Sequence, residues 1–177
     1  MRKLKNSELE RKTEEQYKIT PKIPITVVLD NVRSLNNIGS VFRTSDAFFI
    51  EQIFLCGISG TPPHNDIRKT AIGAEKTVNW QYFQDTRTAV YELKKNNYSI
   101  ISIEQTQNSI PLNEFKIDIT KKHCLIFGNE VKGVQQFVVD VSDFCIEIPQ
   151  SGTKHSLNVS VCAGIVIWEF YKEFFLR

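Results

Sequence analysis

The sequence predicts an α/β fold in which a mostly parallel sheet carries helices on both faces. Strand-like and helix-like segments alternate along most of the chain, which is typical of this class. Several of the strands, such as VVL, IFL and LIF, are apolar on both faces, as expected of strands buried on both sides. The 177 residues, 41% of them apolar, suit one full globular domain.

Each predicted strand is rich in β-branched or aromatic residues and is bounded by turn residues. The predicted strands are 25–30, 52–57, 77–83, 98–104, 123–129 and 144–149, and the predicted helices are 37–49, 86–96, 134–141 and 157–175. The last helix is apolar nearly all round, so it cannot leave one face in water. We therefore expect it to pack against a second copy of the chain, in a homodimer.

The first 22 residues form a basic arm, predicted to be helical over about 1–20 and to end at Pro21 and Pro24. Seven Lys or Arg face four Glu in this arm, whereas residues 23–177 sum to a net charge of −1. A basic arm favours a polyanionic partner, although charge alone favours a solvated helix with Glu–Lys pairs. We expect two parts, the arm 1–22 and a domain 23–177.

The four cysteines are widely spaced and contain no C-x-x-C pair, which indicates free thiols in a reducing cytoplasm. The same spacing gives no reason to predict a metal. No apolar run reaches the length of a membrane span, and the charged N-terminus lacks the apolar region of a secretory signal. The sequence therefore predicts a cytoplasmic protein with no membrane partner.

Small polar residues follow the first predicted strand. Asn37, Gly39 and Arg43 form an N-x-G-x-x-x-R pattern at the start of a helix. Taken alone, this pattern is most simply an Asn N-cap followed by an exposed Arg. The functional alternative is an Arg aimed at a phosphate or another anion beside the helix N-terminus.

Small residues and polar or charged residues also follow two further predicted strands. The loop GNEVKG carries Gly128, Glu130 and Gly133, where Gly128 allows the backbone to approach a ligand or to take a positive φ. A carboxylate such as Glu130 at a strand end needs a partner. The segment SGTKHSLNVSVCAG carries Ser156, predicted to cap the last helix, and Asn158, predicted to lie in its first turn.

Three segments in this order, each after a strand, make a specific combination: NNIGSVFRTSDAF, LIFGNEVKGV and IEIPQSGTKHSLNVSVCAG. With them the chain resembles the SpoU (TrmH-like) family of RNA ribose 2′-O-methyltransferases in the SPOUT superfamily. The resemblance covers roughly residues 25–170. One departure is Gln150, which stands after Ile-Pro where the family often has Met.

The resemblance implies an α/β knot, in which a C-terminal trefoil knot forms the pocket for S-adenosylmethionine, and a homodimer. The catalytic residues that it implies are Asn37, Arg43, Glu130, Ser156 and Asn158. The cofactor-binding residues that it implies are Ser102, Ile103, Glu104, Ile126, Phe127, Gly128, Asn129, Gly133, Ile148, Pro149, Ser151, Ser156 and Leu157. By similarity Arg43 activates the 2′-hydroxyl. Because a guanidinium stays protonated in proteins, we expect Arg43 instead to clamp the substrate phosphate and stabilise the developing alkoxide.

The expected activity is therefore S-adenosylmethionine-dependent methylation of a ribose 2′-hydroxyl in RNA. The chain shows no room for the extra substrate-binding domain of many rRNA-modifying members, which favours tRNA over rRNA. The main alternative is an RNA-binding or assembly protein that kept the fold and lost catalysis. Base methylation by another knotted enzyme is a further alternative. A flavodoxin-like or Rossmann-like nucleotide-binding domain predicts G-x-G-x-x-G after the first strand, where this chain has DNVRSLNNIG.

Overall fold

Seven parallel strands form one sheet in the computed structural model, which describes residues 1–176. The strands are β1 Ile23–Asp30, β2 Ile50–Cys56, β3 Asn79–Phe83, β4 Tyr98–Ile103, β5 Ile110–Pro111, β6 Lys122–Phe127 and β7 Phe144–Glu147. Their order across the sheet is β3-β2-β1-β6-β4-β7-β5, and every pair of neighbours is parallel. The predicted α/β class with a parallel sheet is confirmed. Arg177, the last residue of the predicted domain 23–177, lies outside the described residues.

Helices cover both faces of this sheet. They are α1 Glu14–Ile19, α2 Leu35–Ala47, α3 Asn65–Ala71, α4 Thr86–Lys95, α5 Gln136–Val141 and α6 Val159–Phe175, with 3-10 turns at Asn6–Glu8 and Ala74–Lys76. One core lies under α2, α3 and α6, and a second core lies under α4 and α5. Val27 and Leu29 of β1 point into the first core and Val28 into the second, since successive strand side chains alternate. This alternation explains why the strands are apolar on both faces.

Two elements escaped the sequence prediction. The helix α3 spans seven residues, too few for an apolar periodicity to stand out, and it follows a Pro-Pro pair that signals a turn. Its first turn is fixed by the His64 ring, which accepts a hydrogen bond from the Asp66 amide at 3.1 Å. The strand β5 has only two residues.

The arm is helical over a much shorter stretch than predicted. Its α-helix is confined to Glu14–Ile19, where Thr13 and Gln16 form a reciprocal capping box. The helix ends before Pro21, because the residue that precedes a proline avoids the helical conformation. Tyr17 is buried and its ring stacks on Phe49 with centroids 5.2 Å apart. The second half of the arm therefore packs on the body of the domain.

The helix α6 is apolar on both of its sides, but only one side is buried in this chain. The buried side chains are Val159, Ala163, Val166, Ile167 and Phe170, and the exposed apolar ones are Val161, Ile165, Trp168 and Phe175. The exposed residues recur at helical spacing and so form one free apolar face. None of the helices within residues 1–176 has the length and apolarity that crossing a membrane requires.

Strands β1 and β6 are neighbours in the sheet, but the connections that follow them leave toward opposite faces. The chain passes from β1 into α2, which covers the first core, and from β6 into α5, which covers the second. Diverging connections of this kind open a crevice outside the carboxyl ends of the strands, where α/β proteins bind ligands.

Candidate active site

A cavity of about 540 Å³ lies at this edge of the sheet, within the usual size range of small-molecule sites. Three chain segments line it, namely the end of β4, the loop after β6, and the segment from β7 to the start of α6. Its lining residues are Ile103–Gln105, Phe127–Gly133, Ile146–Ile148, Gln150, His155–Val159 and Cys162. The second and third sequence motifs therefore meet at one cavity.

A chain of side-chain hydrogen bonds joins all three motifs beside this cavity. The Asn158 amide nitrogen Nδ2 donates to Oδ1 of Asn37 at 3.2 Å. Nδ2 of Asn37 in turn donates to Oε1 of Glu130 at 3.2 Å. Residues that are up to 121 positions apart in sequence are thus held in one network.

Glu130 is the centre of this network. Its carboxylate accepts hydrogen bonds from the backbone amides of Arg33, at 3.0 Å, and Ser34, at 2.9 Å. Burial raises the pKa of the Glu130 carboxyl, but the hydrogen bonds from these two amides and from Asn37 outweigh it and hold the pKa below its usual value. Glu130 is therefore a charged anchor for the loop that precedes α2, which is the partner that the sequence required of it.

The two helix caps differ from the sequence prediction. Ser156 was predicted to cap the last helix, but α6 begins at Val159 and its N-cap is Asn158, whose Oδ1 accepts from the amides of Ser160 and Val161. The prediction for Ser156 is wrong because the helix starts later than the apolar run suggests. Likewise Asn37 is not an N-cap, since Ser34 caps α2 by accepting from the Asn37 amide at 3.3 Å.

The glycines of the loop after β6 serve the closure of the loop itself. A Cβ on Gly128 would stand 2.1 Å from backbone atoms of Gly133 and Val134, so no other residue fits there. Gly133 has a φ of +67°, and it pairs with Asn129 through two backbone hydrogen bonds of 2.9 and 3.0 Å. Gly128 itself has no positive φ. The turn is thus fixed by contacts within the protein.

A buried carboxylate holds the far end of this loop. Asp30, at the end of β1, is fully buried and accepts from the backbone amide of Gln135 at 2.9 Å and from its side-chain amide at 2.6 Å. Thr86 donates a third hydrogen bond to Asp30 at 2.6 Å. The Glu104 carboxylate accepts a further hydrogen bond from the Val134 amide at 2.8 Å. The loop that carries Glu130 is therefore tied to β1, α4 and β4.

Most of the residues expected to bind the cofactor line the cavity. Those that do are Ile103, Glu104, Phe127, Gly128, Asn129, Gly133, Ile148, Ser156 and Leu157, whereas Ser102, Ile126, Pro149 and Ser151 do not. The hydroxyl of Ser102 pairs with that of Ser142 at 2.8 Å, and Ile126 lies in the core under α4 and α5. The side chains of Ser102 and Ile126 point to the face of the sheet opposite to that of Ile103 and Phe127, which line the cavity, because successive strand side chains alternate.

Several lining residues escaped the sequence analysis. They are Gln105, Val131, Lys132, Ile146, Glu147, Gln150, His155, Val159 and Cys162, of which Gln150 had been noted only as a departure from the family. Most of them adjoin a predicted residue in sequence. The carboxyl ends of neighbouring parallel strands meet at one edge of the sheet. The sequence could therefore have indicated these residues only by assigning every residue of each strand-end segment to the cavity.

Arg43 lies apart from this network. It is exposed on α2, six positions after Asn37, which corresponds to a rise of about 9 Å along the helix. Its side chain makes no hydrogen bond or ion pair with any residue in the described range 1–176 and does not line the cavity. Arg43 shares its helix face with Asn36 and Ala47, which are also exposed.

The fold and the three joined motifs define a class of protein, the SpoU methylases. The sequence profile of the SpoU rRNA Methylase family matches residues 24–168, and the chain belongs to that family. The resemblance predicted from the three motifs is thereby confirmed.

Relatives within this class have related names. A Borreliella burgdorferi protein named an uncharacterized tRNA/rRNA methyltransferase is 32% identical over 147 residues, which cover 83% of this chain and 63% of that protein. The tRNA (guanosine(18)-2′-O)-methyltransferase of Thermus thermophilus is 28% identical over 149 residues, covering 84% of this chain and 75% of that enzyme. The chain thus spans under two thirds of the Borreliella relative and three quarters of the Thermus enzyme.

Solved structures agree with the fold. The A. aeolicus TrmH/SpoU tRNA modifying enzyme superimposes with a TM-score of 0.78 at 27% identity, covering 90% of this chain and 79% of that one. An AdoMet-bound rRNA methyltransferase from Sinorhizobium meliloti has a TM-score of 0.80 at 21% identity, covering 93% and 60%. The second likeness shows the fold alone.

Proposed function

We propose that this protein transfers a methyl group from S-adenosylmethionine to a ribose 2′-hydroxyl of RNA, and that the RNA is a tRNA. The observation that carries the proposal is the hydrogen-bonded chain from Asn158 through Asn37 to Glu130, which joins the three motifs at the edge of the cavity. The names of the relatives agree with this activity, since several are tRNA 2′-O-methyltransferases.

The cavity suits S-adenosylmethionine in size and in chemistry. Apolar walls from Phe127, Ile148 and Leu157 match an adenine ring, and the carboxylates of Glu104 and Glu147 complement a positive charge. When bound, the cofactor supplies a methyl group that its sulfonium has already made electrophilic. The protein must therefore mainly position and deprotonate the alcohol.

The network residues are suited to that positioning. Asn37 and Asn158 present amide groups whose orientation is fixed by Glu130 on one side and by the α6 N-terminus on the other. In our proposal these amides hold the ribose and the reacting oxygen, and Ser156 completes the site at the cavity wall. Arg43, whose guanidinium has no partner within residues 1–176, binds the RNA phosphate and stabilises charge on the attacking oxygen.

The proposal includes a homodimer built on the free face of α6. Trp168 of that face packs against Phe48, with ring centroids 5.5 Å apart, so the exposed sides of α6 and α2 adjoin. Val161, at 51% exposed, and Trp168, at 40%, are the kind of apolar surface that a second subunit would cover. A dimer on these helices would bring Arg43 to the subunit boundary.

The proposal also includes the C-terminal trefoil knot. Strand β7 lies between β4 and β5, which are consecutive in the chain, so a later strand is inserted between two earlier ones. The Leu112 amide donates to the Glu147 carbonyl at 2.8 Å on one side of β7, and the Glu104 amide donates to the Ile146 carbonyl at 3.0 Å on the other. This enclosure of β7 supports a threaded chain.

We assign the remaining parts as follows. The protein works in the cytoplasm, which the four free cysteines support. The basic residues of the arm 1–22 contribute to RNA affinity, while Tyr17 anchors the arm to the domain 23–177.

The decisive assay incubates the purified protein with S-adenosylmethionine and with tRNA or rRNA from a strain lacking the gene. Nuclease digestion and mass spectrometry then identify any new 2′-O-methyl nucleoside. We expect one such nucleoside, from tRNA. RNA binding without methylation would instead support the assembly protein of the same fold, and a methylated base would indicate base chemistry.

Arg43 variants test the mechanism in the same assay. Arg43→Ala should lower methyl transfer by at least about 100-fold and leave cofactor affinity unchanged, because Arg43 does not line the cavity. Arg43→Lys should keep partial activity, since it retains the charge but loses the planar fork. Arg87→Ala, an exposed arginine on α4, is the matched control. Recovery of Arg43→Lys activity at high pH would show that residue 43 acts as the base, contrary to this account.

A further inference from the structure

We propose that a second cleft, at the edge strand β3, holds one unpaired nucleotide of the substrate RNA. This inference rests on the proposed function insofar as the ligand is RNA. The cleft measures about 560 Å³ and is separate from the cofactor cavity. It lies between α3, the 3-10 turn Ala74–Lys76 and β3, and its principal lining residues are Pro63, His64, Arg68, Glu75, Lys76 and Trp80.

The cleft offers an aromatic stacking surface. Trp80 lines the cleft, and Tyr82, two positions further along β3, lies outside its lining but on the same face of the sheet. Trp80 is 36% exposed and Tyr82 46% exposed, on an edge strand that has only β2 as a neighbour. The Tyr82 hydroxyl donates to the Gly57 carbonyl at 2.9 Å, which fixes that ring. Exposed, pre-positioned aromatic rings are the surface on which unpaired bases stack.

The cleft also carries cations that have no partner in the described chain. The side chains of Arg68 and Lys76 are exposed and form no ion pair within residues 1–176, whereas neighbouring Lys69 pairs with Asp66 at 2.7 Å. Two unpaired cations beside exposed aromatic rings complement a nucleotide, which has a phosphate as well as a base.

One carboxylate lies beside these cations. Oε2 of Glu75 is buried and receives no hydrogen bond from any described residue, so it offers no accessible acceptor to a ligand in the cleft. In this inference Trp80 stacks on the base, and Arg68 and Lys76 bind the phosphate.

The position of the cleft suits a nucleotide near the one that is modified. The loop after β2 runs from Gly57, which holds Tyr82, to His64 at the rim of the cleft. Gly60 of that loop packs so closely on Leu35 that a Cβ would meet its side chain at 2.2 Å. Leu35 directly follows Ser34, whose amide binds Glu130. The loop thus connects the cleft with the catalytic network.

Tryptophan fluorescence gives a direct test. The chain has two tryptophans, so the Trp168→Phe protein reports on Trp80 alone. We expect short oligocytidylate and oligouridylate both to quench this signal, because every base has a face that can stack on an indole ring. No quenching by either would overturn the inference.

Variants assign each part of the cleft. Lys76→Ala should lower the salt slope of binding by about 0.7, as for one lost phosphate contact on a single strand. Trp80→Ala should raise the KM for RNA while leaving kcat and S-adenosylmethionine affinity unchanged. Tyr91→Ala and Lys95→Ala, exposed residues of α4 on the opposite face, are the matched controls.

The outcomes separate this inference from the proposed activity. If wild-type protein methylates RNA but Trp80→Ala has an unchanged KM, the cleft is not an RNA site. If wild-type protein fails to methylate RNA but binds oligocytidylate through Trp80 and Lys76, the cleft inference stands and the proposed activity falls. Circular dichroism melts of each variant show whether a loss arises from unfolding.

Discussion

The two sides of the structure around the cavity are built in opposite ways. The first side, here called the catalytic wall after its proposed role, comprises residues 31–37, which adjoin the cavity through Glu130, and residues 128–135. The second side, here called the loop wall, comprises residues 149–158, of which Gln150 and residues 155–158 line the cavity. Glu130 and Asp30 tie the catalytic wall into a dense set of hydrogen bonds. Every residue of the loop wall is exposed. Among the hydrogen bonds of residues 1–176, the one that holds the loop wall before the cap at Asn158 is a long bond of 3.3 Å from Gln105 to the His155 carbonyl.

This difference implies a division of labour. Groups that act on the transition state work best when they are held in place beforehand, because no reorganisation is then needed during the reaction. A binding segment with few contacts can instead close over its ligand, at the expense of some affinity. We therefore expect substitutions in the catalytic wall to act on kcat, and those at residues 149–155 of the loop wall on cofactor affinity.

The largest effect is expected at Glu130. Glu130→Ala removes the acceptor for the Arg33 and Ser34 amides and for Asn37, so the catalytic wall loses its anchor. Methyl transfer should fall by about 100-fold or more, since small displacements of reacting groups are costly. S-adenosylmethionine affinity, measured by calorimetry, should change little. Glu92→Ala on α4 is the control, and a loss confined to cofactor affinity would contradict the division.

Asn158 stands where the two walls meet, and a single substitution can separate its two roles. Asn158→Ser keeps a good N-cap for α6 but loses the amide that reaches Asn37. We expect stability within about 0.5 kcal/mol of wild type and a roughly tenfold lower kcat. Asn158→Ala, which also removes the cap, should cost about 1 kcal/mol more in thermal or urea unfolding. Equal activity of Asn158→Ser and wild type would show that the Asn158 amide acts only as a helix cap and has no part in catalysis.

The smallest effect concerns pH. The pKa of Glu130 is lower in the folded protein than its ordinary value, so its ionised form favours folding above that value. This contribution is lost as the pH falls through the folded-state pKa. Glu130→Gln cannot titrate, so its urea midpoint should fall less than that of wild type between about pH 6 and about pH 3.5. Parallel curves for the two proteins would contradict the assigned hydrogen bonds.

The sequence predicted the main sheet and the family because strand periodicity and motif residues are local signals. It placed Asn37, Glu130 and Asn158 in one site without showing that they touch, since those contacts depend on how distant segments meet. Helix boundaries were less accessible, because the apolar run at 157–175 does not reveal that Asn158 is the cap. The inserted position of β7 between β4 and β5 has no periodic signature at all.

The cleft at β3 was missed for a similar reason. The helix α3 is too short to show a pattern, and only the fold brings its Arg68 beside Lys76 and Trp80. An exposed Trp80 in an apolar segment was indistinguishable from a core residue, since only the sheet order makes β3 an edge strand.

Hydrogen exchange measured with and without S-adenosylhomocysteine tests the unequal walls most directly. Amide exchange reports the free energy of local opening, which is low where contacts are few. The account predicts rapid exchange in residues 149–158 of the free protein, strong protection there on binding, and little change in residues 128–135, which are already protected. Equal protection of both segments in the free protein, or binding that protects 128–135 and leaves 149–158 open, would contradict it.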